Sequence, residues 1–204
     1  MSEAGSLRRP RLPATERRVA VLQAACGAFA EGSYRGTTTA EIARAAGVTE
    51  PVLYRHFASK KALYLACLED SWGRMQALWE QAIANEPDPA GWVRAVAAAY
   101  RESGEIRATI SSLWIQALAE AADDEEIRRF MLRHMREVHG VVEDIHQRAR
   151  EAGGIEPARD PSAEAWIFIS IGLLRAVNDT LGGLVADEFP AIGQSRHTWL
   201  TGRT

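Results

Sequence analysis

Apolar residues recur along most of this chain at intervals of three and four positions, the spacing that places them on one face of an α-helix. No segment shows the alternation of apolar and polar residues that is typical of a β-strand, so the pattern predicts an all-α protein. The segments with helical spacing are 16–31, 60–86, 89–102, 105–121, 124–152 and 162–185, and for the tail after Phe189 a short helix and disorder are both open.

A shorter pattern occupies residues 36–63, where three helix starts and a turn fall within one segment. Thr38 and Glu41 have the spacing of a capping box, which predicts a helix that begins directly after Thr38. Gly47 can adopt the positive φ at which many helices end, and Thr49 can cap the helix that follows. Two short helices joined by a tight turn are the layout of a helix-turn-helix, so DNA is the first partner to consider.

The second helix of this motif should turn Leu53 and Phe57 inward, because both are apolar and lie one turn apart. Its opposite face then presents charged and aromatic side chains, which is unusual for a short helix that contacts only water. The candidate DNA contacts of this helix and its cap are Thr49, Glu50, Pro51, Val52, Tyr54, Arg55 and His56.

The next helix begins with Ser59, Lys60 and Lys61, and these two lysines are the only ones in the chain. A helix dipole is positive at this end and disfavours each cation by about 0.3–1 kcal/mol. Free N–H groups at a helix start bind phosphate, and a lysine beside them strengthens such a site. We therefore predict that Lys60, with Lys61 as a second candidate, holds a DNA phosphate; solvated lysines in a surface turn are the alternative.

The segment from about residue 15 to residue 65 resembles the tetracycline-repressor (TetR/AcrR) family of bacterial transcription regulators. The residues that stand in the family's order and spacing are Thr38-Thr39, Ile42-Ala43, Ala46-Gly47-Val48, Leu53-Tyr54-Arg55-His56-Phe57 and Ser59-Lys60.

The resemblance also implies roles for individual residues. The phosphate contacts would be Thr39, Tyr54 and Lys60, beside Thr38, and the base contacts would be Glu50, Pro51 and Val52, with Arg55 and His56 reaching bases or phosphates. Some members of the family have a basic base contact where this chain has Ala40, and Arg44 is the outward-facing candidate to replace it.

Charge divides the chain into two parts. Residues 1–61 contain ten lysines and arginines against five aspartates and glutamates, a net charge of +5, whereas the rest contains fourteen against twenty-two, a net charge of −8. The whole-chain net charge of −3 therefore hides a basic end. We expect a flexible basic arm over 1–14, a helix-turn-helix DNA-binding domain over 15–61 and a helical-bundle ligand-binding and dimerisation domain over 62–204.

The arm contains Arg8, Arg9 and Arg11, which either reach into the minor groove of DNA or form a disordered tail. The N-terminal run has no apolar core of a secretion signal, and no apolar stretch is long enough to span a membrane, so we expect a cytoplasmic protein. Cys26 and Cys67 lie on apolar stretches without metal-ligand neighbours, so we expect buried free thiols.

All six tryptophans lie in the predicted ligand-binding domain, which is more aromatic area than a bundle of this size needs. Core packing explains each of them, but rings between helices also line cavities that bind small molecules, and the family resemblance implies a pocket here. The candidate lining residues are Trp79, Trp92, Tyr100, Trp114 and Trp166, and the candidate polar groups that orient an apolar ligand are Gln116, His134 and Asn178.

Helix 162–185 is apolar on more than one face, so we expect a second chain to cover part of it. In the resembled family the last long helices pair into a four-helix dimer interface. The small residues Gly172 and Ala176 would permit close approach of a partner helix in a homodimer.

Two other functions compete with a dimeric repressor that binds a palindromic operator and is released by an apolar effector. A metal enzyme is supported only by Glu143-x-x-His146, the spacing of di-iron bundles, because the second such motif and two further glutamates are missing. A DNA-packaging protein that senses nothing would explain the basic arm but not the acidic, tryptophan-rich body. We therefore expect a regulator rather than an enzyme, with no cofactor.

Overall fold

The computed structural model describes residues 13–202, and every regular element in that range is helical, which confirms the all-α prediction. The chain divides between Tyr64 and Leu65 into two compact units, named here the N-terminal and C-terminal units. The helices are α1 (Ala14–Glu31), α2 (Thr39–Ala45), α3 (Glu50–His56), α4 (Lys60–Ala84), α5 (Trp92–Glu102), α6 (Glu105–Glu120), α7 (Glu125–Glu151), α8 (Pro161–Thr180) and α9 (Phe189–Thr201), with a 3-10 turn (Pro89–Gly91) before α5.

The N-terminal unit has an apolar core to which α1, α2, α3 and the start of α4 contribute. Phe29, Ile42, Leu53 and Leu63 are fully buried in it. The ring of Phe29 lies edge-on to Tyr64, with 5.1 Å between the ring centroids. The inward orientation that the sequence predicts for Leu53 is confirmed.

Helix α1 begins at Ala14, two residues before the start that periodicity indicates. Pro13 occupies the cap position, and its carbonyl accepts a hydrogen bond of 3.0 Å from the Arg17 N–H. Proline adopts a φ close to that of a helix, so it can start a helix where apolar periodicity gives no signal.

In the C-terminal unit, α7 and α8 pack along each other and α6 contacts both, while α5 and the 3-10 turn pack on α7. Leu113 and Ile127 are fully buried between these helices. Near the end of α7, a smaller apolar cluster of Ala149, Ile155 and Leu200 joins α9 to the bundle.

Helix α8 ends at Thr180 and not at residue 185, because Asn178 closes the chain into a turn. Its carbonyl accepts from the Gly183 N–H and its Oδ1 accepts from the Val185 N–H, both at 2.8 Å. Gly182 and Gly183 have φ values of 72° and 104°, which side chains disfavour. Apolar residues continue with helical spacing through this turn, which explains why periodicity alone misses the helix end.

Three expectations about single features have clear outcomes. The tail after Phe189 is helical as α9, and Gly202, with a φ of 65°, caps its end. Cys26 and Cys67 are buried, as expected, and no disulfide joins them. Within residues 13–202, no helix combines the length and the apolar character needed to cross a bilayer.

Candidate nucleic-acid interface and interior cavity

The first helix of the motif is fixed at its start by Thr38 and Glu41. The Thr38 N–H donates to Glu41 Oε2 at 2.8 Å, and the Glu41 N–H donates to Thr38 Oγ1 at 3.2 Å, which confirms the capping box. The hydrogen bond from the Thr38 backbone is the main cause that holds the pKa of Glu41 below its ordinary value. Thr38, a predicted DNA contact, thus has its side chain engaged in the helix cap.

The turn of the motif depends on Gly47, whose φ of 67° lies in the left-handed region. The Val48 N–H donates to the Ala43 carbonyl at 2.9 Å, and the Gly47 N–H donates to the Arg44 carbonyl at 3.1 Å. This pair of bonds is a Schellman motif, so the predicted helix end is confirmed. Thr49 occupies the cap position of α3, but its side chain makes no capping hydrogen bond, so the side-chain role predicted for it is wrong.

Three predicted DNA contacts meet in one hydrogen-bonded network between α2 and α3. Thr39 Oγ1 lies 2.6 Å from Glu50 Oε1 and 3.1 Å from the hydroxyl oxygen of Tyr54. Because an ionised carboxylate only accepts, Thr39 donates to Glu50 and Tyr54 donates to Thr39. Both hydroxyl hydrogens are engaged in this network, so Thr39 or Tyr54 has to rotate its hydroxyl hydrogen away from its present acceptor to donate to a phosphate.

The remaining candidates on this surface differ in exposure. Tyr54 exposes 46% of its surface, so its ring and hydroxyl are accessible to a partner. The exposed candidates are Arg44, Thr49, Pro51 and Arg55, and the half-buried ones are Val52 and His56. Arg8, Arg9 and Arg11 of the predicted basic arm lie outside the described residues.

Lys60 is held at the start of α4 by neighbours from the preceding loop. Its Nζ donates to the Arg35 carbonyl at 3.3 Å and lies 5.1 Å from the ring centroid of Tyr34. Ser59 caps the helix through its Oγ, which accepts from the Ala62 N–H at 3.0 Å. An ammonium group thus lies beside the N–H groups of a helix start, the arrangement that favours a phosphate.

The C-terminal unit contains a cavity of about 990 Å³, lined by residues from α4 to α9. Of the eight residues predicted to bind a ligand, Trp79, Tyr100 and Trp114 line it. Apolar side chains that the sequence interpretation did not assign complete much of the wall, and they include Trp72, Met75, Phe168, Ile169, Leu173 and Phe189.

The other five predicted ligand contacts lie elsewhere, and two of them are tryptophans. The Trp92 indole N–H donates to the Glu86 carbonyl at 3.0 Å, which turns the ring toward the loop before α5. Trp166 is 45% exposed and stacks on His139 at a centroid distance of 4.3 Å. Neither tryptophan lines the cavity, so the prediction that they contact a ligand there is wrong.

The three predicted polar ligand contacts also do not line the cavity. Gln116 donates to Ser112 Oγ one turn back on α6, at 3.1 Å. His134 is buried among aromatic rings, including Trp114 at 5.4 Å, and burial lowers its pKa. Asn178 closes the turn after α8, as described above.

Polar lining residues were missed by the sequence interpretation, above all Arg175. The signal was present in the sequence, because Arg175 is the only charged residue between Glu164 and Asp179 on an otherwise apolar helix. A single charge within an apolar stretch indicates either a buried ion pair or a ligand contact.

The Glu143-x-x-His146 motif does not form a metal site. Glu143 Oε2 lies 3.6 Å from His139 Nδ1, whereas the His146 Nδ1 lies 2.8 Å from the Val142 carbonyl of its own helix. Burial lowers the pKa of His146. Among the described residues, no group of three histidine, cysteine, aspartate or glutamate side chains could hold a metal ion.

Helix α8 has an exposed apolar face on the side away from the cavity. Its members and those of the following turn are Trp166, Ile167, Val177, Leu181 and Leu184, each at least 36% exposed. Gly172 and Ala176 are not on this face, because both line the cavity and a Cβ at Gly172 would lie 3.6 Å from the Tyr100 hydroxyl. The role predicted for these two small residues in close helix approach is therefore wrong.

Comparison with known proteins places these features among bacterial regulators. Residues 21–67 match the family described as bacterial regulatory proteins, tetR family. Over 96 residues the chain is 40% identical to the HTH-type transcriptional activator FasR of Mycolicibacterium smegmatis, covering 47% of this chain and 44% of FasR. Over 127 residues it is 24% identical to the HTH-type transcriptional regulator BetI of Burkholderia ambifaria, covering 60% of this chain and 64% of BetI. Each match thus spans less than two thirds of the relative.

The fold of the whole chain also has a counterpart among solved structures. A TetR-family transcriptional regulator from Agrobacterium tumefaciens superposes with a TM-score of 0.77 at 18% identity, covering 93% of this chain and 100% of that protein. At this identity the similarity concerns the fold alone, a helix-turn-helix followed by a helical body.

Proposed function

Because the chain belongs to the tetR family of bacterial regulatory proteins, we propose that it is a one-component transcription regulator whose N-terminal unit binds DNA and whose C-terminal unit binds a small apolar effector. The family consists of regulators and not of enzymes, so the metal-enzyme alternative is set aside.

One observation carries the proposal: a helix-turn-helix and an apolar cavity of about 990 Å³ occur in the same chain. The volume lies at the upper end of the range for small-molecule sites, and its walls include Trp79, Tyr100 and Trp114. A DNA-packaging protein has no need of such a cavity. The cavity therefore supports a sensor over the packaging alternative.

In the proposed DNA complex, α3 lies in the major groove. Thr39, Tyr54 and Lys60 hold phosphates, which fix the position of the helix on the duplex. Residues at the start of α3, with Arg44 and Arg55, contact base edges and supply sequence preference.

The proposed active form is a homodimer through the exposed face of α8. That face extends over Ile167 and Val177 and continues into the turn at Leu181. A second copy of the chain would cover it and bring two recognition helices to successive major grooves, about 34–36 Å apart on a palindromic operator. Effector binding then favours a dimer whose helices no longer match this spacing.

We expect the regulator to be a repressor that the effector releases from its operator. The relative FasR is named a transcriptional activator, so activation is the alternative to repression. Transcription in vitro separates the two roles. Transcription from a promoter with a bound operator should fall when the protein is added and recover with effector.

The direct experiment combines selection of genomic DNA fragments with a screen of apolar compounds. Bound fragments should share a palindrome, and an effector should quench tryptophan fluorescence, release this DNA and stabilise the protein. Stabilisation amounts to about 2.7 kcal/mol at a hundredfold excess over Kd. A screen in which no compound shifts the melting temperature or releases DNA would favour the packaging alternative.

A variant that fills the cavity provides the control. Ala97 lines the cavity, so Ala97→Phe should block effector binding and leave operator affinity unchanged. Ala119 is exposed on α6, so Ala119→Phe should preserve both activities. A normal effector response in Ala97→Phe would place the effector outside this cavity.

A further inference from the structure

One charged side chain in the cavity wall has no acidic partner. Four arginines line the cavity, and three of them form ion pairs. These pairs are Arg94 with Glu86 (3.3 Å), Arg101 with Glu102 (3.9 Å) and Arg196 with Glu164. Within residues 13–202, Arg175 has no carboxylate at ion-pair distance and no hydrogen-bond acceptor.

The guanidinium of Arg175 is nevertheless held in place. Its Cζ lies 3.8 Å from the ring centroid of Phe189, the first residue of α9. Stacking on a ring engages the flat face of a guanidinium and leaves the N–H groups at its edge free to donate. Arg175 is half-buried, so these donors are shielded from most of the bulk water that would otherwise satisfy them.

The charges around this end of the cavity do not balance. Arg107, Arg175 and Asp179 act electrostatically on the hydroxyl of the half-buried Tyr100, and Arg107 is ion-paired with Asp179. Burial raises the pKa of Tyr100, so its hydroxyl is neutral. One positive charge, that of Arg175, is left uncompensated next to an apolar cavity.

Over a wide area the rest of the wall is apolar, and the other charged or titratable residues that line it, besides Tyr100, are Asp88, His197 and the three paired arginines. Its apolar residues include Trp72, Trp79 and Trp114, together with Phe168 and Leu173 of α8. A ligand complementary to this wall has one anionic group and an apolar body.

We propose that the effector is an amphipathic carboxylic acid whose carboxylate pairs with Arg175 while its apolar part lies among Trp72, Trp79 and Trp114. This inference rests on the proposed function, which makes the cavity the effector site. A carboxylate carries one negative charge and matches the guanidinium edge with two parallel hydrogen bonds. A phosphate monoester carries about −1.5 to −2 and exceeds the single uncompensated charge.

The test compares acids with neutral compounds of the same shape. Dodecanoate with dodecanamide forms an aliphatic pair, naphthylacetate with naphthylacetamide forms an aromatic pair, and dodecyl phosphate provides the second anion. Affinities for the full chain are measured by tryptophan fluorescence and calorimetry. At least one acid should bind about tenfold more tightly than its amide, and more tightly than the phosphate.

Variants of Arg175 test whether this residue causes the preference for acids over amides. Arg175→Gln should bring the affinity of the acid down to that of its amide without changing the affinity of the amide. Arg175→Lys should retain part of the preference, because the positive charge is kept. Arg74→Gln is the matched control and should change nothing, since that side chain is paired with Asp70 and does not line the cavity.

Several outcomes would overturn the inference. Equal affinity for acids and amides, or an equal loss of both in Arg175→Gln, would show that Arg175 is not a carboxylate contact. Preference for the phosphate would assign the site to a different anion. If neutral compounds bind and release the operator, the sensor function stands and only the inference fails; if no compound binds, both fail. Should Arg175→Gln not fold, an undiminished acid preference in folded Arg175→Lys would reject the inference, because the two parallel hydrogen bonds of the guanidinium would then contribute nothing.

Discussion

Lys60 and Glu50 carry opposite charges on the surface proposed to face DNA, and their surroundings give them different roles. The ammonium of Lys60 is anchored by the Arg35 carbonyl at a helix start, a position that suits a phosphate. The carboxylate of Glu50 accepts from Thr39 and would repel a phosphate, but it can accept a hydrogen bond from a cytosine amino group. Substitutions at the two residues should therefore have different signatures.

Lys60→Ala should weaken binding to specific and non-specific duplexes by similar factors, because a phosphate contact carries no sequence information. The slope of log affinity against log salt concentration should fall by about 1. Arg128→Ala, which removes an exposed cation on α7, should leave this slope unchanged. If the slope of Lys60→Ala equals that of the wild type, the lysine does not contact a phosphate.

Glu50→Gln should change which base is preferred at one position of each half-site, with discrimination of roughly 1–3 kcal/mol. Selection of bound sites from random duplexes measures this preference. Tyr54→Phe is the contrasting variant, since loss of its hydroxyl should weaken all duplexes alike. An unaltered site profile in Glu50→Gln would limit this residue to holding Thr39.

At the scale of elements, α7 and the 3-10 turn before α5 meet at Gly154. A Cβ at this position would lie 2.2 Å from the carbonyl oxygen of Ala90, so only glycine permits the observed approach. Both residues also line the cavity, which makes this contact part of its wall.

Gly154→Ala should therefore force the end of α7 away from the 3-10 turn and reduce the free energy of unfolding by about 1–3 kcal/mol. Chemical denaturation followed by circular dichroism measures the change. Gly140→Ala, within α7, is the control: a Cβ there would meet nothing within 4 Å, so this variant is expected to be neutral or stabilising. Equal stability of the two variants would mean that the turn moves aside without cost.

The ends of the helix-turn-helix elements could be predicted from sequence, because they depend on interactions between residues a few positions apart. The capping box of Thr38 and the left-handed Gly47 are examples, and both are found where the sequence places them. The early end of α8 was missed because it depends on a side chain, Asn178, that bonds to a residue seven positions further on.

The candidate site was less predictable from sequence. Tryptophan content indicated a cavity but could not separate Trp79, which lines it, from Trp166, which faces outward. Helical periodicity assigns a residue to a face, whereas a cavity depends on which face each neighbouring helix covers. For Arg175, the sequence shows an isolated charge on an apolar helix. Only the structure shows that this charge has no acidic partner among the described residues.

At the scale of the whole molecule, α8 carries some residues that line the cavity and others that belong to the exposed apolar face. Ile171 lines the cavity, so a charge introduced there would disturb effector binding as well as any dimer. Val177 is 36% exposed and does not line the cavity, so it tests the dimer alone.

Val177→Glu should yield monomers that retain their helix content, because a buried charge at a two-fold interface would face its own copy. Light scattering should show the wild type as a dimer at micromolar concentration and the variant at half that mass. The variant should bind a palindrome no better than a single half-site, since each monomer carries one recognition helix. Effector affinity should be unchanged, because the cavity lies within one chain. Leu118→Glu replaces an equally apolar, 43% exposed residue on α6 and should leave the dimer intact. A wild-type monomer at this concentration would reject the dimer, whereas a dimer in both variants would move the interface away from α8.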